Sequence, residues 1–172
     1  MLTTNGAKMI TYNKMFGSSA PNLILTDGTT QTATVSATTQ AFRRCGYNNT
    51  AGTLATSDSC MVMNLGVGTA QPSASDYWLD ETEIGGVDVN TIVECARASG
   101  TDMWNAVVLN NGNIAYSYVF RNTGSDAVTI TEIGLSFACM YGKFLVGRCL
   151  IPPRTIQPNE TVTFTYELAF CS

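Results

Sequence analysis

The chain of 172 residues contains no histidine, and charged residues make up only 13% of it. The first absence removes the imidazole on which Ser–His and Cys–His catalysis depends, together with the usual nitrogen ligand of zinc. The serine–lysine alternative is no better served, because no S-x-x-K spacing leads into Lys8, Lys14 or Lys143. Phosphate-cradling motifs are missing as well. Gly66-Val67-Gly68 lacks the third glycine and the following helix of a dinucleotide fingerprint. Lys and Arg number nine, the only adjacent pair is Arg43-Arg44, and the net charge is −4. Phosphate recognition needs a clustered basic surface, so no nucleic-acid partner is expected.

Long apolar runs are also lacking. None approaches the roughly 18 residues of a membrane span, and no basic region followed by an apolar stretch opens the chain. No membrane partner is expected, and synthesis is expected in a cytoplasm without export by that route. The cysteines Cys45, Cys60, Cys95, Cys139, Cys149 and Cys171 include no C-x-x-C pair. Without an export signal they are expected as free thiols, with Cys139 and Cys149 acting as small buried hydrophobes. Neither a metal nor a cofactor is expected. A surface with so few charges is poorly protected against self-association, which suggests that neighbouring subunits cover part of it.

What is present points to strands. Hydrophobic residues reach 45%, and the polar remainder is rich in Thr, Ser, Asn and Gly, types that favour strands and turns over helix. Val162, Phe164, Tyr166, Leu168 and Phe170 alternate with polar or small residues over Thr161–Phe170, a period of two with one apolar face. Lys143–Ile151 is a nearly continuous apolar run, expected as a strand buried on both faces and stopped by Pro152-Pro153. Asn113–Arg121 alternates, Asn122–Asp126 reads as a hairpin loop, and Val128–Phe137 returns. Its apolar phase shifts by one residue at Glu132-Ile133, the signature of a β-bulge or a strand passing between sheets. Met103–Leu109 pairs forward through Asn110-Asn111-Gly112-Asn113.

The expected fold is therefore all-β, an antiparallel β-sandwich of jelly-roll type, with room for one short helix over Asp88–Ala98. Residues 1–172 read as a single domain, with core strands over 66–172 and a loop-rich part over 1–65. In that part Asn22–Leu25, Gln31–Thr38 and Cys60–Val67 are candidate strands, and Arg43–Ser59 a long loop. Asp76–Leu79 has the length of one helical turn. The tripeptide Glu-Ile-Gly occurs at Glu83–Gly85 and Glu132–Gly134, too short to count as a repeat.

Few residues carry chemistry. Glycoside hydrolysis needs only two carboxylates, and Asp76, Asp80, Glu81 and Glu83 cluster while Glu132 stands at the phase change. Bare carboxylate clusters are usually solvated loops, so no catalytic residue is assigned and no enzyme is expected. Asp76–Asp80 offers oxygens to calcium but lacks the spacing of an EF loop. Tyr77, Trp78 and Trp104 are the candidate ligand or interface aromatics, a sugar platform in one reading and core or subunit contacts in the other. Arg148, the one charge in an apolar strand, needs a carboxylate, and Glu132 is the candidate for a structural ion pair.

Three segments, taken in order, carry a resemblance. They are Gly66-Val67-Gly68-Thr69-Ala70-Gln71-Pro72-Ser73-Ala74-Ser75-Asp76-Tyr77-Trp78-Leu79, then Asn122–Leu135, then Leu145–Leu150 continued by Ile156–Tyr166. The set resembles small β-sandwich virion structural proteins of tailed bacteriophages, which carry a "GxGtxxPsasDyxL" loop, an "NtGsxxvtIxEiGL" hairpin and an "lxR…pvtlxpgexvtvtY" strand pair. Asn159 stands where those proteins more often have glycine, and Trp78 replaces a smaller residue. The resemblance implies a non-enzymatic part of the particle, a symmetric oligomer on capsid, neck or tail, made in the host bacterial cytoplasm and located in the virion. Other virion proteins would be its partners. The alternative is a carbohydrate- or receptor-binding module of a fibre or adaptor, with host glycans as ligands.

Overall fold

A computed structural model describes residues 2–8, 20–33, 60–80, 83–86, 92–98, 101–102, 104–109, 113–139 and 142–169. One helical turn, α1 (Thr4–Lys8), is followed by β1 (Ala20–Ile24), β2 (Thr30–Ala33), β3 (Cys60–Gly66), β4 (Glu83–Gly86), β5 (Val93–Cys95), β6 (Arg97–Ala98) and β7 (Thr101–Asp102). The remaining strands are β8 (Trp104–Val108), β9 (Ile114–Asn122), β10 (Val128–Cys139), β11 (Gly142–Ile156) and β12 (Thr161–Leu168). The fold is all-β, and its main sheet is nearly closed on itself like a barrel, in the order β11-β10-β3-β4-β5-β9-β12 with β8 also on β9.

The alternation in the last strand becomes its burial. In β12 Val162, Phe164, Tyr166 and Leu168 are buried while Thr161, Thr163, Thr165 and Glu167 face solvent. Its partner β9 turns Tyr116, Tyr118 and Phe120 to the same side, and Phe120 meets Phe164 edge-on at 6.1 Å. Across the core stand Met61, Met63 and Leu65 of β3 with Ile133, Leu135 and Phe137 of β10. The Tyr118 hydroxyl spans the two layers by donating to the Met61 carbonyl at 2.5 Å. Burying the Phe120 ring alone is worth about 2–3 kcal/mol, so these facing rows supply much of the cohesion.

Several expectations change. Val128–Phe137 does not return against β9. β10 pairs with β3 and β11, so Asn122–Asp126 carries the chain from one layer to the other. The buried Asn122 side chain holds that crossing, donating to the Asp126 and Ile156 carbonyls and accepting from the Gly124 amide. Pro152-Pro153 does not end its strand either. β11 runs on to Ile156, because Ile151, Pro152 and Pro153 lie between the partners of Ile130 and Glu132 and form a bulge opposite Thr131. Proline lacks a ladder donor, and a bulge on the last strand of a sheet needs none there. This register shift is the phase change expected at Glu132-Ile133.

Over Asp88–Ala98 the described part is strand, not helix. The β-branched Val93 begins β5, which lies parallel to β4 and antiparallel to β9. The short helix is α1 instead. β5 and β8 share one edge of β9, the chain leaving after Ala96 to form the small β6–β7 ladder and returning at Trp104. Asp76–Leu79 is not helical: the chain turns at Ser73–Asp76, where the Asp76 amide donates to the Ser73 carbonyl and the Ser73 amide to Asp76 Oδ2. β1 and β2 answer to Asn22–Leu25 and the start of Gln31–Thr38, and β3 to Cys60–Val67. The loop expected over Arg43–Ser59 lies outside the described residues.

Candidate functional site

Met61–Gly66 of β3, Glu132–Phe137 of β10 and Phe144–Arg148 of β11 are buried on both faces, and the two faces differ in kind. Alternate residues of β10 point away from the core as Glu132, Gly134 and Ser136, beside Asn64 and Gly66 of β3 and Arg148 of β11. A polar face can be covered only if its groups find partners there. The covering segment is Val67–Asp80, and it brings partners to Glu132 and Arg148. Asn64 donates to Glu83 instead, and Asn64 Oδ1 and the Ser136 hydroxyl are the exceptions, with no hydrogen-bond partner among the described residues.

Glu132 is fully buried. Its Oε1 accepts from the Gly68 amide at 3.0 Å, and its Oε2 from the Asp80 amide at 3.2 Å. Arg148 Nε lies 3.0 Å from the same Oε2. The guanidinium continues outward, with Nη1 on Asp76 Oδ2 at 2.8 Å and Nη2 donating to the Ala70 carbonyl. Next to Glu132, the Thr131 hydroxyl donates to the Gly68 carbonyl at 2.8 Å. Each charge thus meets an opposite charge or a backbone dipole, the condition under which a buried ion pair is tolerated.

The glycines of the segment follow from this approach. A Cβ on Gly66 would stand 2.5 Å from Glu132 Oε1, and one on Gly68 would overlap that oxygen and lie 2.5 Å from Asp80 Cβ. Gly134 leaves a hollow in β10 for Leu79, whose Cδ2 would be 2.7 Å from any Cβ there. Asp80 Oδ2 accepts from the Thr69 and Ala70 amides at 3.0 and 2.8 Å. The Ala70 amide, helped by Thr69 and by the charge of Arg148, holds the Asp80 carboxyl below its ordinary 3.8. Thr4 of α1 fastens the far end of the loop, its amide and hydroxyl both donating to the Ala74 carbonyl. Trp78 lies under Lys143 Nζ, 4.8 Å from the ring centre, and Lys143 is 3.8 Å from Glu83 Oε2.

Beside the loop runs an open groove of about 470 Å³. It is lined by Thr26 and Asp27 of the β1–β2 turn, by Ser75–Asp80 of the loop and by Arg148. Of the candidate aromatics, Tyr77 and Trp78 meet at this groove. Trp104 belongs to β8, where its backbone pairs with Tyr118 of β9. The candidate ion pair Glu132–Arg148 is present, and Asp76 joins it.

Sequence reading missed the amides of Gly68 and Asp80, which no side-chain pattern signals. It also set aside the one available hint. The two Glu-Ile-Gly tripeptides flank β3 from either side, with Glu83 and Glu132 both registered opposite Gly66. Among the described residues Cys95 and Cys149 are free thiols, and burial pushes the Cys149 thiol up. No group of three His, Cys, Asp or Glu side chains among the described residues is placed to hold a metal ion. Comparison of the chain with protein-family models, with curated proteins and with solved structures finds no match in any of the three.

Proposed function

We propose that this protein is a non-enzymatic structural component of a tailed-bacteriophage particle, working as a symmetric oligomer among other virion proteins. One observation carries the reading. The segments that resemble such proteins are distant in sequence, yet they converge on a single buried tie: Gly68 and Asp76 from the first, Glu132 from the second, Arg148 from the third. The resemblance therefore falls on the residues that fix the architecture. Asn159, which stands in for glycine in that pattern, has φ 66°, a left-handed conformation that asparagine accepts more readily than most residues.

The same geometry speaks for structure over catalysis. Glu132, one of the carboxylates weighed for acid–base work, has no solvent access and spends both oxygens on backbone amides and a guanidinium. A general acid must reach the proton it transfers. The test is biochemical. Mass spectrometry of purified particles should detect the protein, and light scattering after gel filtration should give a defined oligomer. A strict monomer absent from the particles contradicts the proposal.

A further inference from the structure

Next to the groove a cation, an aromatic ring and a carboxylate lie together. At Trp78 a cation sits over an aromatic ring and beside a carboxylate, namely Lys143 with Glu83. The groove lining holds a second ring, Tyr77, and the carboxylates of Asp27 and Asp80. Tyr77 is 45% exposed, and its ring edge lies 3.7 Å from where a Cβ on Gly28, the turn residue that follows Asp27, would stand. Asp27 Oδ1 is held by the Thr29 amide and hydroxyl at 2.9 and 2.7 Å, and Asp80 Oδ2 by its two loop amides. Both carboxylates are thereby fixed in orientation, while Asp27 Oδ2 and Asp80 Oδ1 have no hydrogen-bond partner among the described residues. Arg148 is the only cation in the described lining, and Glu132 and Asp76 already neutralise it.

We propose that the groove between the Thr26–Gly28 turn and the Ser75–Asp80 loop receives an arginine side chain of a neighbouring protein subunit, its guanidinium lying over Tyr77 and paired with Asp27 and Asp80. A guanidinium satisfies all the features at once. Its planar face stacks on an aromatic ring, and its edge donates to carboxylate oxygens. A groove of about 470 Å³ admits the side chain with its neighbouring backbone. A neutral sugar could stack on Tyr77 but would bring no counter-charge to Asp27 and Asp80. A metal ion would need more ligands than two carboxylates, and no group of three His, Cys, Asp or Glu side chains among the described residues is placed to hold one.

The probe is N-acetyl-arginine amide, compared with its uncharged isostere N-acetyl-citrulline amide and with maltose, each titrated into the intact protein by NMR. Arginine should bind saturably, perturb Asp27, Tyr77 and Asp80, and bind about tenfold more tightly than citrulline, as a cation–π contact and an exposed ion pair together allow. Tyr77→Ala and, separately, Asp27→Asn should each weaken it severalfold. Asp27→Asn keeps the oxygen that accepts from Thr29, so the turn is expected to survive. Added salt should weaken arginine and leave citrulline unchanged. Equal binding of arginine and citrulline, arginine binding indifferent to both substitutions, or maltose binding more tightly at the same residues would each overturn the assignment. None of these readouts depends on whether the protein is found in particles.

Discussion

The two layers of this molecule solve the same problem in different ways. The β9–β12 layer buries one face and leaves the other to water, where Thr161, Thr163, Thr165 and Glu167 stand in a row. The β3–β10–β11 layer buries both, and its outer face is held by a carboxylate, a guanidinium and the backbone of a loop. In the first, apolar area sets the stability and the outer residues are replaceable. In the second, removing one charged partner strands the others in a poorly solvated place. The difference teaches where substitution is tolerated, and it can be broken or sharpened by experiment.

The largest contrast is expected between two glutamates. Glu132→Ala should cost about 3–5 kcal/mol in denaturant unfolding, because it leaves Arg148 short of a counter-charge and two amides without an acceptor. Glu167→Ala, on the open face, should stay within about 0.5 kcal/mol. Equal losses would erase the distinction between the layers. Gly68→Ala comes next, at about 1–3 kcal/mol, since the new methyl has no room against the Glu132 carboxylate and the Asp80 side chain. A neutral result there means the loop shifts freely and the tie is loose.

pH separates the layers by direction. The depressed Asp80 carboxyl lends stability that is intact above 3.8 and lost as pH falls through its folded value, so acid should loosen the Val67–Asp80 loop first. Burial pushes the Tyr116 and Tyr166 phenols far above 10.0. Their contribution is complete below 10.0 and is lost as alkali forces ionisation, so the β9–β12 layer should fail on the alkaline side. Amide exchange followed from both ends of the pH range checks the order. The smallest effect is shared by Thr163→Ala, expected like Glu167→Ala to stay within about 0.5 kcal/mol on the exposed strand face.

Legibility followed the same divide. β12 and β9 could be read residue by residue because period-two alternation is itself a record of one-sided burial. The register shift between Ile130 and Glu132 was legible as a slip in the alternation of β10. The doubly buried layer was less open, since a run such as Lys143–Ile151 announces burial without saying what covers it. The proline pair misled because its cost depends on whether a ladder bond is needed at that point, which only the register with Ile130 and Glu132 decides. Val93–Cys95 became strand because β4 and β9 offered it partners on both sides. Of the site, Glu132 and Arg148 were visible as charges among apolar neighbours. Asp76 was visible only as a member of an acidic cluster, and the amides of Gly68 and Asp80 were invisible.

Glu132 ties the Val67–Asp80 loop to the sheet through the Gly68 and Asp80 amides. Hydrogen exchange at the Gly68 and Asp80 amides, compared in the native protein and in Glu132→Gln, tests it directly. Protection of both amides in the native protein, lost in the variant while Tyr118 and Phe164 keep theirs, is the predicted result. Free exchange of Gly68 and Asp80 in the native protein, or protection that survives the substitution, would contradict it.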